Sequence, residues 1–464
     1  MSQTTLKNSA RWALISLCLS MLMPALDTSI ANAALPMLAA ALDASFQQVQ
    51  WIVLAYLLAV TTLIVSVGRL GDLLGRRRLL LTGIGIFTLA SLCCAVAPSL
   101  WWLIGARAVQ GLGAAIMLAL TMALVGDAVR KARAGSAMGL LGTMSAVGTT
   151  LGPSLGGLLI AQFGWPWIFL INLPLGLLNA FLVYRYLPKD QISVEAMRFD
   201  HPGTLVLVLS LAAYALALTL EDSLWLLLIS LCGAGLFVYI ESNVAVPLIR
   251  LSLLKNARLG ASLTMTLLVT TVVMTTLVVG PFYLTRGLGL EATAMGLALS
   301  VGPLVAAFGG VPAGRLVDRF GAPRMVKVGL LGMGGGCGLL ALLPMSLGLI
   351  IYLLPIALVT ASYALFQAAN STGLMANVSR DERGLVSALL GLARNLGLIT
   401  GAAAMGAVFA WATDDPTQAP ASMIASGLHI TFGVATALIL AALVIANTEK
   451  KLWELACRRL GRQG

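Results

Sequence analysis

Two charged side chains stand where charge is expensive. Asp27 lies in the middle of an apolar run that opens near Trp12, and Arg107 lies inside another that opens at Trp101. A carboxylate held in hydrocarbon costs about 3 kcal/mol or more, so such a residue is a functional candidate by default. The chemistry it offers is uptake and release of one proton beside a fixed cation. The competing reading of Asp27 is a structural carboxylate held by hydrogen bonds. The competing reading of Arg107 is a side chain that snorkels to the nearer interface.

The elements that must position this pair follow from composition. Of 464 residues, 59% are hydrophobic and only 10% are charged, against about 25% charged in an ordinary soluble domain. So few charges cannot coat a soluble globule, which excludes a cytosolic enzyme, a secreted module and a disordered chain. A polytopic membrane protein remains, with every helix needing about 20 mostly apolar residues. Fourteen runs qualify: 12–34, 47–68, 79–97, 101–125, 135–160, 165–187, 203–220, 224–241, 259–284, 293–314, 325–344, 348–372, 384–411 and 426–447.

Charge orients them. Of the 29 Lys and Arg, all but Arg107, Arg394 and Arg286 fall in the two tails or in even-numbered loops. Positive charge marks the cytoplasmic side, so both termini are expected there. The net charge of +11 therefore reports topology, and no nucleic-acid partner is expected. Trp51, Trp101, Trp102, Trp165, Trp167, Trp225 and Trp411 fall near the outer interface, and Trp12 and Trp453 near the inner one. Depth then links the two charges. Asp27 is fifteen residues past Trp12, about 22 Å up at 1.5 Å per residue. Arg107 is six residues past Trp101, about 9 Å down and so about 21 Å up in a core about 30 Å thick. They are expected to be coupled around one cavity.

The chain repeats itself. Gly68-Arg69-Leu70-Gly71-Asp72-Leu73-Leu74-Gly75-Arg76-Arg77-Arg78 and Gly314-Arg315-Leu316-Val317-Asp318-Arg319-Phe320-Gly321-Ala322-Pro323-Arg324 both read G-R-L-x-D-x-x-G-x-x-R. At nearly the same offset Gly135, Gly142, Gly148, Gly152 and Gly157 fall onto Gly384, Gly391, Gly397, Gly401 and Gly406. The offset spans eight helices, so the copies are parallel, as in transporter halves related by an axis along the membrane normal. The expected layout is an N-terminal six-helix half (1–190), an inserted two-helix hairpin with linkers (191–250), a C-terminal six-helix half (251–447) and a cytoplasmic tail (448–464).

Four local patterns make the chain resemble the major facilitator superfamily, and within it the fourteen-helix drug:proton antiporters. They are Leu26-Asp27-Thr28-Ser29-Ile30-Ala31-Asn32-Ala33-Ala34-Leu35-Pro36 in the first helix, the Gly68–Arg78 loop, Leu103-Ile104-Gly105-Ala106-Arg107-Ala108-Val109-Gln110-Gly111-Leu112-Gly113 in the fourth helix, and Gly148-Thr149-Thr150-Leu151-Gly152-Pro153-Ser154-Leu155-Gly156-Gly157 in the fifth. Trp165–Pro174 is also similar, although Pro166 stands where family members usually carry Arg. The resemblance implies a major facilitator fold, all-α and integral to the membrane, and proton-coupling roles for Asp27 and Arg107. It favours export over uptake through the Gly152-Pro153 pattern.

The repeated loops have a mechanical reading: Gly68, Asp72, Arg76, Gly314, Asp318 and Arg324 form gating ion pairs and turns, or else the loops simply set topology. Gly148, Gly152, Gly156 and Gly157 give one helix a flat face and Pro153 bends it, either for a tight seal between halves or for generic packing. Arg394 lines an inner vestibule or snorkels. Tyr56, Gln367 and Asn370 are substrate-site candidates, with interhelical hydrogen bonding as the alternative.

The expected function is a proton-coupled antiporter exporting hydrophobic or cationic compounds by alternating access in the cell's inner or plasma membrane, acting as a monomer in the lipid bilayer. The alternative is an exporter of one metabolite such as an amino acid, sugar or siderophore, which the fold does not exclude. An enzyme is not expected. No phosphate-binding loop, nucleophile elbow or Cys/His metal spacing is present, so no cofactor or metal is expected beyond the coupling proton.

Overall fold

The computed structural model describes residues 3–128, 134–188, 190, 201–219, 223, 225–244, 257–342, 344, 348–375 and 383–460. All regular structure among them is helical. In chain order the helices are α1 (Gln3–Ala33), α2 (Leu35–Ala41), α3 (Phe46–Leu74), α4 (Arg76–Ala95), α5 (Leu100–Ala128), α6 (Ala134–Phe163), α7 (Trp167–Leu170), α8 (Asn172–Tyr186), α9 (His201–Thr219) and α10 (Trp225–Asn243). There follow α11 (Ala257–Phe282), α12 (Ala292–Phe320), α13 (Ala322–Leu342), α14 (Leu349–Met375), α15 (Arg383–Thr400), α16 (Gly406–Thr413) and α17 (Ala421–Leu460). Five-residue π-turns extend α11 (Tyr283–Gly287) and join α15 to α16 (Gly401–Met405).

Twelve helices among the described residues are long and apolar enough to cross a membrane. The remaining two of the fourteen expected runs fall on α6 and α9. They are helices of 30 and 19 residues, and α9 carries an apolar stretch over Pro202–Ala217. Large apolar side chains such as Leu89, Leu231, Leu342 and Trp411 lie exposed on the outside of the helices. In water that would be a liability; in lipid it costs nothing. The linkers around 191–200 and 245–256 lie outside the described residues.

By packing, the chain divides into two compact units, Met1–Leu248 with Gly289–Leu304, and Ile249–Leu288 with Val305–Gly464. In the first, α1 packs on α6 and α8, and α4 on α5 and α8. In the second, α11 packs on α15 and α17, and α13 on α14 and α17. These are the same pairings in the same chain order, as the sequence repeat requires. The helices α9 and α10 pair with each other, and α9 lies against α3.

Local rules shape the ends and bends. Ser45 caps α3 in a reciprocal box: its Oγ accepts from the Gln48 N–H (3.3 Å) and its own N–H donates to Gln48 Oε1 (3.0 Å). Pro24 removes a backbone donor from α1 one turn before Asp27. In the repeated loop motif, Gly75 and Gly321 hold the same place, and both adopt positive φ (92° and 84°), a conformation glycine accepts without strain. Where α6 carries Pro153, the second copy carries Ala402, and there the helix widens into the Gly401–Met405 π-turn.

Candidate functional site

The structure brings Asp27 and Arg107 into direct contact. Arg107 Nη1 lies 2.5 Å from Asp27 Oδ2, with both side chains fully buried (0% and 1% exposed). Three further polar side chains, also buried, complete the cluster. Gln110 Nε2 donates to Asp27 Oδ1 (2.8 Å) and to Ser91 Oγ (2.8 Å). Asn172 Nδ2 donates to the same Asp27 Oδ1 (2.7 Å). Gln110 Oε1 accepts from Arg107 Nη1 (2.6 Å), and Arg107 Nε reaches the Ile52 carbonyl (3.1 Å). The guanidinium lies over the rings of Tyr56 (4.4 Å) and Phe169 (5.8 Å). Five helices, α1, α3, α4, α5 and α8, thus meet in one buried polar cluster.

The physical logic is that of a buried ion pair. Desolvating two charges is repaid only when geometry is close and the remaining lone pairs are hydrogen-bonded. Asp27 meets that condition in its charged form, since its two oxygens face three donors. A protonated Asp27 would set an O–H against those same donors.

The spacing explains why these residues converge. Gln110 stands three residues after Arg107, so both project from one face of α5. Asn172 opens α8 behind the Gly164-Trp165-Pro166 turn, in which Gly164 has φ 87°. Gln110 and Asn172 sit inside the quoted motifs but carry no charge to mark them; Ser91 has no signal at all. Tyr56 belongs to this cluster, stacked on Arg107.

The glycine face of α6 lies against the turns of α1 that carry Asp27. A Cβ built on Gly148 would meet the Leu22 carbonyl (2.7 Å), on Gly152 the Ser29 Oγ (2.6 Å), and on Gly156 the Ile30 Cγ2 (3.0 Å). Ser29 Oγ donates to the Thr149 carbonyl (2.8 Å). Gly157 instead faces Ala292 and Gly296, within the first unit, and Ser154 bonds Ser300. The small residues at four-residue spacing allow backbones to approach. Gly152→Val is expected to force α1 away and cost about 1–3 kcal/mol by overpacking, read as a lower unfolding temperature in detergent. Gly391→Ala, where an added Cβ meets nothing within 4 Å, should leave that temperature unchanged.

At the repeated loop, the carboxylate on the α4 N-terminus is Asp190, which sequence reasoning missed because it lies in a connector. Its Oδ1 accepts from the Arg77 N–H (2.7 Å) and its Oδ2 from the Arg78 N–H (3.1 Å). Negative charge is favoured there. Arg77 also donates to the Tyr184 carbonyl and lies over its ring. Arg76 is half-buried, and the side-chain surroundings of Gly68 and Asp72 lie outside the described residues. In the second copy Gly314 is half-buried and Asp318 and Arg324 are exposed. Asp190→Ala should expose the first turn of α4, speeding hydrogen exchange at the Arg77 and Arg78 amides about five-fold, the equivalent of about 1 kcal/mol for a lost cap.

The other candidates lie on α14 and α15 of the second unit. Asn370 is buried, and its amide is occupied across to α11, accepting from Ser262 Oγ (2.8 Å) and donating to Thr266 Oγ1 (2.9 Å). Gln367 is half-buried and Arg394 exposed. Glu241, close to the end of α10, is only 3% exposed, so Asp27 is not alone among acids in being buried within a helix.

Twelve of the described helices are long and apolar enough to cross a membrane, the mark of a multi-pass membrane protein. The chain matches the Major Facilitator Superfamily over residues 17–402 and 261–456 and belongs to that superfamily. It is 32% identical over 398 residues to the uncharacterized transporter YebQ of Escherichia coli (strain K12), covering 84% of this chain and 87% of that one. It is 32% identical over 405 residues to the riboflavin transporter RibZ of Clostridioides difficile (strain 630), covering 86% and 88%. It is 31% identical over 406 residues to the multidrug resistance protein Stp of Mycobacterium tuberculosis (strain CDC 1551 / Oshkosh), covering 86% and 75%. The fold is similar to that of a bacterial homolog of the human lysosomal transporter Spinster, solved inward-facing and unoccupied, with TM-score 0.70 and 18% identity over 96% of this chain and 97% of that one.

Proposed function

We propose that this transporter is a proton-coupled antiporter that exports hydrophobic or cationic compounds by alternating access. The observation that carries the reading is the buried Asp27–Arg107 pair with its ring of amide donors. Charged Asp27 holds α1, α3, α4, α5 and α8 together through Arg107. A proton arriving at Asp27 cancels the attraction and frees the guanidinium, so that proton binding and helix rearrangement become one event. Substrate and proton then alternate, and the proton gradient drives efflux.

The same reading counts fourteen crossings, with α6 and α9 joining the other twelve apolar helices, and places both termini and the basic loops on the cytoplasmic side of the cell membrane. The repeated halves are the rocking bodies, the Asp72 and Asp318 loops their gates, and Tyr56, Gln367 and Asn370 sites of substrate contact. The transporter works as a monomer without a cofactor. The multidrug name of Stp supports a broad substrate range. The likeness to RibZ favours a second reading, transport of one planar metabolite such as riboflavin.

The test is transport in proteoliposomes with an imposed pH gradient, using ethidium and riboflavin as probes. Gradient-driven movement of ethidium supports the first reading, and of riboflavin alone the second. Movement of either that ignores the gradient would overturn proton coupling.

A further inference from the structure

We propose that a cavity at the basic end of the second unit binds a phosphate group, and that an anionic phospholipid presents it. The cavity holds about 450 Å³ and is bounded by the start of α11, the first turns of α13, the end of α14 and Ala446 of α17. That is the size range of ligand pockets. Arg258, Arg324 and Lys327 line it, together with Ser262 and Asn370, and no acid does so among the described residues.

The first unit shows what such a place asks for. There the N-terminus of α4 receives the Asp190 carboxylate on two successive N–H groups. The matching helix of the second unit, α13, opens Ala322-Pro323-Arg324. Pro323 has no N–H to give, so a carboxylate cannot be held in the same way. What α13 offers instead is side-chain charge, from Arg324 and Lys327, directed at a cavity. Arginine and lysine at that spacing suit the several oxygens of a phosphate.

The surface continuing from Arg324 suits a lipid. Arg324, Val328, Leu331, Leu339 and Leu342 recur at helical spacing on α13, and all are exposed. A cationic cavity thus opens at the foot of an apolar stripe, the pattern an amphiphile fits with its headgroup in the cavity and an acyl chain along the helix. Basic pockets between transmembrane helices are suited to anionic headgroups. The proposal does not depend on Asp27 or on the direction of transport.

The probe is phosphatidylglycerol with a fluorescent acyl chain, titrated against the full chain in detergent micelles, with phosphatidylcholine and inorganic phosphate as competitors. Each neutralised cation should weaken binding about five-fold, so the Arg324→Gln/Lys327→Gln double variant should bind about 25-fold more weakly than the parent. The charge-keeping exchange Arg324→Lys/Lys327→Arg should retain binding, which separates lost charge from lost folding. Arg315→Gln/Arg319→Gln removes as much charge from the neighbouring end of α12, outside the cavity, and should change little. If inorganic phosphate raises the unfolding temperature of the parent but not of the Gln double variant, while lipid binding is equal in both, the phosphate is a free anion. Equal loss in both Gln double variants, or loss in neither with no response to phosphate, would overturn the proposal.

Discussion

Replacing Asp27 by Asn is expected to lower gradient-driven transport to the level of protein-free vesicles. The substitution keeps the size and one acceptor, so Gln110 and Asn172 can still donate to the retained Oδ1 position. It replaces the other oxygen by an NH2 that faces Arg107 Nη1, setting donor against donor where an ion pair stood at 2.5 Å. It also removes the carboxyl of the cluster, and with it the group proposed to take up and release the proton. Transport in Asp27→Glu should fall less, because the carboxyl survives with one more methylene. Undiminished gradient-driven transport in Asp27→Asn would remove this residue from the coupling step.

The second large effect falls on stability. Arg107→Leu leaves the Asp27 carboxylate buried with two amide donors and no counter-charge. Breaking a buried pair from one side typically costs about 3–5 kcal/mol, which is a large part of a protein's net stability. It also removes the stacking on Tyr56 and the bond to the Ile52 carbonyl. The double variant Asp27→Asn/Arg107→Leu carries no buried charge in this cluster and should regain most of the loss while remaining inactive. Unfolding in detergent, followed by denaturant titration across the four-variant cycle, gives the coupling energy directly. A single Arg107→Leu variant as stable as the parent would mean that the pair does not hold these helices.

How much of this was legible in the sequence differs by residue. Asp27 and Arg107 stood out because charge is scarce in apolar runs, and helix rise alone put them at one depth. Their contact partners did not stand out. Gln110, Asn172 and Ser91 are ordinary polar residues by composition, and only the packing of α4, α5 and α8 onto α1 turns them toward one carboxylate. Asp190 was hidden for a different reason: it acts on α4 from a connector more than a hundred residues away. Glycine spacing revealed a flat face on α6 but not its neighbour, which for Gly148, Gly152 and Gly156 is α1 of the same unit. The fourteen apolar runs all fall on helices, and among the described residues twelve of these are long and apolar enough to cross a membrane. Glu241 escaped notice near a helix end, where charge is usually solvated, although it is buried.

The central claim is that Asp27 carries the coupling proton. Infrared difference spectroscopy of the full chain in lipid nanodiscs, between acidic and alkaline buffer, tests it without any substrate. A protonated carboxyl held away from water has a C=O stretch distinct from that of exposed acids. The account predicts such a band in the parent, appearing on acidification, and its loss in Asp27→Asn. The same band at full intensity in Asp27→Asn would place the proton on another residue and contradict the account.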